Sequence, residues 1–189
     1  MNVRTPLSRA TTAAVGALAA GALAISATPA SASPASGYVN GGGAYSNDWS
    51  NEGGPTGHSL YNGGKYKKSN ATCLWQKILW AEGVTEQNGS LYDGDDIDGD
   101  FGPNTTYATK KLQKRWGLTA DGKVGPKTFG KADAKLRYVS GSTSANRVLT
   151  VRYAGRSHSF TLKRNAQGNY SFSQDGGVKL AGYKYRSCK

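Results

Sequence analysis

A chain of 189 residues with 24 Lys and Arg against 12 Asp and Glu carries a formal charge of +12, which excludes an acidic scaffold and favours anionic partners. At roughly 150 residues per domain the length allows one or two domains. With 37% hydrophobic residues and four Trp, small packed cores are expected rather than one large one.

The one long apolar stretch lies at the N-terminus. Arg4 and Arg9 form a positive start, Ala13 to Ala27 is a run of small and apolar residues, and Ala30-Ser31-Ala32 offers a small-x-small cleavage site. Residues 1–32 therefore read as a signal peptide. A membrane anchor would need about 20 spanning residues and stronger hydrophobes. Cleavage after Ala32 gives a secreted chain whose charge falls from +12 to +10 with the loss of Arg4 and Arg9. In an oxidising compartment the two cysteines, Cys73 and Cys188, most simply form a disulfide. A catalytic thiol is the alternative, but neither cysteine has a local His motif.

Residues 33–70 hold nine glycines with Ser, Asn and scattered aromatics, Tyr38, Tyr45, Trp49, Tyr61 and Tyr66, and no apolar period of 2 or 3.6. Such a segment reads as a flexible leader, with a sticky aromatic tail as the sharper alternative.

Residues 71–138 differ in kind. From Thr72 to Gly83 the sequence puts Trp75, Ile78 and Leu79 on one helical face, with Gly83 as a stop. Then comes an internal repeat: Asp98-Gly99-Asp100-Phe101-Gly102-Pro103-Asn104-Thr105, and 23 residues later Asp121-Gly122-Lys123-Val124-Gly125-Pro126-Lys127-Thr128. Asp-Gly makes a tight turn, Phe101 or Val124 plugs a core, and the proline starts a helix at its first position. The first helix launched this way carries Thr105, Ala108, Thr109 and Leu112; the second carries Phe129, Ala132 and Leu136.

This double pattern resembles the peptidoglycan-binding domain of bacterial cell-wall hydrolases. Trp75-Gln76, Leu79 and Gly83 match its first helix, Leu112-Gln113 and Gly117-Leu118 the end of its second, and the two Asp-Gly turns its turns. The resemblance implies a non-catalytic three-helix module anchoring secreted proteins to the wall. Two departures stand out: Trp75 and Thr109 occupy positions that are usually aliphatic.

Residues 139–189 lie outside the resemblance. Val148–Tyr153, Ser159–Lys163, Tyr170–Phe172, Val178–Leu180 and Tyr183–Tyr185 alternate apolar with polar residues between turn segments, which predicts a small antiparallel meander. The expected fold class is α+β, a small three-helix bundle followed by a basic β-rich element packed on it.

The acidic run Asp93 to Asp100 invites a calcium reading. An EF-hand-type loop from Asp96 would need Gly and Glu where Phe101 and Tyr107 stand, so a turn-forming loop is expected and no metal is assigned. Glycoside hydrolysis by two of its carboxylates is disfavoured because all lie in one loop. His58 and His158 lack zinc-peptidase spacing, and no Gly-x-Ser-x-Gly elbow exists. No catalytic residue or cofactor is assigned.

On the second helix Lys110, Lys111, Lys114 and Arg115 cluster beside Tyr107 and Trp116. The plain reading is a solvated face; the functional one is a surface for wall carboxylates or phosphates, with aromatics stacking on sugars. Tyr107, Lys110, Lys114, Trp116 and, on the first helix, Trp80 are the candidate ligand residues. Nucleic acid would satisfy the charge but not the export signal. The sequence thus reads as a secreted, wall-associated, monomeric peptidoglycan-binding protein of a bacterium with an exposed wall. The alternatives are a small hydrolase or amidase with catalysis in the C-terminal element, and a wall-retained inhibitor or signalling protein.

Overall fold

The computed structural model describes residues 36–53 and 58–188, together with Met1. The segment read as a signal peptide lies, Met1 apart, outside them. Among the described residues three α-helices and a five-stranded antiparallel sheet give an α+β fold.

Helix α1, Asn70–Ala81, begins two residues before the expected Thr72 because Ser69 caps it, its Oγ accepting the Thr72 N–H at 3.1 Å. Its buried positions go well beyond the Trp75, Ile78 and Leu79 face. Chain from the C-terminal end covers its start, with the Asn70 and Ala71 N–H groups donating to the Tyr185 and Gly182 carbonyls. Helices α2, Pro103–Arg115, and α3, Pro126–Asp133, each start at proline after Gly102 and Gly125, as the Gly-Pro pairs predict.

Leu136, expected on the third helix, instead opens strand β1, Leu136–Gly141. The register explains this: Leu136 pairs with Tyr153 on β2, Leu149–Ala154, so its burial is won in the sheet. Strands β3, Ser159–Arg164, β4, Tyr170–Gln174, and β5, Gly177–Leu180, follow in chain order, each antiparallel to the one before. Tyr183–Tyr185 forms no strand: the Tyr183 N–H donates to the Gly37 carbonyl, and its buried hydroxyl donates to Glu52. Along the sheet Leu149, Val151, Tyr153, Phe160, Leu162, Tyr170 and Phe172 point inward.

The flexible leader is not what the structure shows for its described residues. Val39, Trp49 and Leu60 are fully buried, and Trp49 packs edge-on against Phe129 and Tyr170 with ring centroids 6.4 and 5.3 Å away. Isolated bridges join Tyr38 to Gly182, Asn40 to Asn169 and Leu60 to Val124. Asp48 forms a buried ion pair with Arg164 at 2.7 Å and accepts the Tyr170 hydroxyl at 2.5 Å. A Cβ on Gly41 would fall 2.0 Å from the Asp48 carboxyl, so only glycine lets that carboxylate reach the cluster. Trp49 and Tyr66 are buried, Trp49 by partners far away in sequence, a pattern no local period betrays.

The expected small cores are likewise replaced by one buried cluster drawing on this N-terminal segment, all three helices and the sheet. Cys73 and Cys188 pair as a disulfide across 115 residues, tying the C-terminal tail to α1.

Candidate functional site

Each Asp-Gly turn is locked by a buried glutamine from the preceding helix. Gln76 donates Nε2 to Asp98 Oδ1 (2.8 Å), the Asp100 carbonyl (3.1 Å) and Thr105 Oγ1 (3.2 Å), while its Oε1 accepts the Gly99 N–H at 2.6 Å. Gln113 does the same with Asp121 Oδ1 (2.9 Å), the Lys123 carbonyl (2.8 Å) and Thr128 Oγ1 (3.1 Å), accepting the Gly122 N–H at 2.9 Å. A neutral amide supplies two donors and an acceptor at once, which these turns need. Gly99 and Gly122 sit at φ of +72° and +76°, and a Cβ on Gly99 would lie 2.7 Å from both disulfide sulfurs. The repeat is therefore longer than its Asp-Gly core: the glutamine belongs to it.

The two departures at aliphatic positions answer each other. The Trp75 indole N–H donates to Thr109 Oγ1 at 2.8 Å, joining α1 to α2, and both side chains are buried. An indole N–H in a core needs an acceptor, and Thr109 provides it.

Against this frame lies a groove of about 290 Å³ lined by Asn62, Gln87, Pro103, Thr106, Tyr107 and Lys110. Tyr107 is 36% exposed, with the Lys111 ammonium 5.2 Å from its ring centroid. Lys123 stands at the same distance over Tyr61, beside Asn62. The groove thus offers one aromatic ring, one lining ammonium, two amides and a hydroxyl, a set suited to sugar rings, carboxylates and peptide groups.

The expected ligand residues divide. Tyr107 and Lys110 line the groove; Lys114 stands exposed one turn further along α2. Trp116 is half-buried, edge-on to Trp75 at 6.3 Å. Trp80 lies apart, stacked on His158 at 4.4 Å with the Lys77 ammonium 5.3 Å away. Arg115 is engaged by Glu82 at 2.9 Å, and Glu82 also accepts the Tyr153 hydroxyl. Asn62 and Gln87 escaped sequence reasoning because they come from a Gly-rich segment and a polar loop with no periodic signal.

On the other side of Pro103 a pocket of about 280 Å³ is lined by Gln76, Tyr92, Asp95, Asp96, Asp98 and Asp100, among others. These acids hold the loop together. Asp98 Oδ1 accepts the Asp100 N–H at 2.8 Å, Asp96 Oδ2 accepts the Asp93 N–H at 2.8 Å, and Asp100 pairs with Lys68 at 3.4 Å. Burial, reinforced by neighbouring Glu86 and Asp93, pushes the Asp96 carboxyl up to about 6. Among the described residues no group of three or more His, Cys, Asp or Glu is placed to hold a metal ion.

Residues 76–131 match the model of a family described as "Putative peptidoglycan binding domain", which bears out the resemblance read from the twin turns. The match begins at Gln76, the first locking glutamine. Two relatives share part of the chain. An uncharacterized protein in the bpoA1 3' region of Kitasatospora aureofaciens is 50% identical over 46 residues, 24% of this chain and 39% of that one. A zinc D-Ala-D-Ala carboxypeptidase of Streptomyces albus G is 54% identical over 35 residues, 18% of this chain and 14% of that enzyme. The chain therefore spans well under two thirds of either relative's length. No solved structure matches it. Among the described residues no helix is long and apolar enough to cross a membrane.

Proposed function

We propose that the chain is a secreted, non-catalytic protein that binds bacterial peptidoglycan through the groove beside α2. The observation that carries this reading is the family match over residues 76–131, the stretch that supplies Pro103, Thr106, Tyr107 and Lys110 to the groove. In this reading the three helices form the wall-binding module, and the sheet is a meander packed on it. The positive charge draws the protein toward an anionic wall, where Tyr107 stacks on a glycan ring and Lys110 meets a carboxylate. Co-sedimentation with purified, polymer-stripped peptidoglycan at physiological salt tests it; absence from the pellet refutes it.

The relative named as a zinc carboxypeptidase favours one rival, in which the chain itself cleaves wall material. That rival predicts soluble muropeptides released from labelled walls, and walls left intact by the purified protein remove it.

A further inference from the structure

The outer face of the sheet takes no part in the groove. With the apolar side chains turned inward, the outward positions of β2 to β4 hold Thr150, Arg152, Ser159, Thr161, Lys163, Ser171 and Ser173. Arg152 pairs across with Thr161, and Lys163 sits between Thr150 and Ser171. The two cations are thus diagonal neighbours, about 7–8 Å apart by sheet geometry, set among hydroxyls. A depression of about 120 Å³ beside them is lined by Thr161, Lys163, Ser171, Phe172, Ser173 and Val178.

Among the described residues no acid stands at these outward positions. Residues 134–188 contain ten Lys and Arg but one acid, Asp175, which lies in the β4–β5 turn. Arg137 stands directly opposite Arg152, a like-charge pairing that disfavours the sheet. Arg137 turns its guanidinium onto the Ala134 and Leu136 carbonyls at 2.9 and 2.7 Å, leaving Arg152 exposed. Cations interleaved with hydroxyls are the side chains that contact phosphate oxygens, and these outward positions carry no aromatic ring on which bases could stack.

We propose that the outer face of the sheet, centred on Arg152 and Lys163, is a second binding surface that takes a wall-borne polyanion of phosphodiester-linked polyols. The choice of a wall source rests on the peptidoglycan reading above, and the hydroxyl rows suit polyol hydroxyls lying between phosphates.

The test uses the full secreted chain and a soluble, lipid-free glycerol-phosphate polymer with no peptidoglycan present, so that it does not depend on the groove. Binding measured by titration calorimetry weakens linearly in log–log form with salt. The R152Q/K163Q double variant binds about tenfold more weakly at low salt, and its slope is smaller by about 1.4, or 0.7 for each lost contact. A K127Q/K131Q variant with the same net charge on the exposed side of α3 retains the wild-type curve. Unchanged binding by R152Q/K163Q, equal loss in K127Q/K131Q, or equal affinity for single-stranded DNA of matched charge each overturns the proposal. Sedimentation with polymer-stripped walls separately reports whether the peptidoglycan reading holds.

Discussion

Replacing Gln113 by leucine keeps the side chain's bulk but strips the Gly122 N–H of its acceptor, and an orphaned buried donor costs about 1–3 kcal/mol. Three further acceptors lose their donor, so Gln113→Leu is expected to lower Tm by several degrees in a thermal melt, and Gln76→Leu to do the same at the first turn. Thr109→Val removes the indole's partner at a similar cost, and combining it with Trp75→Phe recovers part of the loss. At the groove the expectation reverses. Tyr107→Ala and Lys110→Gln each weaken peptidoglycan sedimentation several-fold, on the order of 1 kcal/mol, and leave Tm within about a degree, because both side chains are solvent-exposed.

Among the elements, those announced by local chemistry were legible. Gly-Pro fixes the starts of α2 and α3, and strict alternation fixes β2 and β3. The glutamine locks were hidden, because Gln76 reaches a turn 22 residues away while Gln113 reaches one 8 residues away, and no fixed spacing marks them. The N-terminal segment was misread for a related reason: Trp49 is buried by Phe129 and Tyr170, and its own neighbours in sequence give no sign of it. Part of the groove is readable in Tyr107 and Lys110, whereas Asn62 and Gln87 are brought there by chain reversals without a signature. Asp48→Ala tests whether that segment is integral. It leaves Arg164 charged and buried without its carboxylate, so a loss of about 3–5 kcal/mol is expected in denaturant unfolding. An unchanged midpoint would show the segment to be loosely attached.

For the whole molecule, two buried carboxyls make stability depend on pH. Desolvation lifts Glu52 to about 7, against hydrogen bonds from Tyr183 and Asn40, and lifts Asp133 to about 7, against the bond from the Trp49 N–H. The folded state then holds more protons than the unfolded chain between about pH 4 and 7, so these groups make stability fall as pH rises through that window and level off above it. Melts at pH 5 should exceed those at pH 8, and Glu52→Gln should flatten the difference. Loss of the Cys73–Cys188 bond, which spans 115 residues, is expected to cost about 4–5 kcal/mol in the chain-entropy account, read as a lower denaturant midpoint under reducing conditions.

The pairing of Tyr38 and Asn40 with Gly182 and Asn169 also sets a timetable. The stretch that leaves the ribosome early has its backbone partners in the stretch that leaves late, so neither can settle until nearly all the chain is free. Closing such distant contacts is slow, because the loop entropy is lost before the contacts reward it. The two ends of a polypeptide wired this way take their native form only after its last hairpin has emerged.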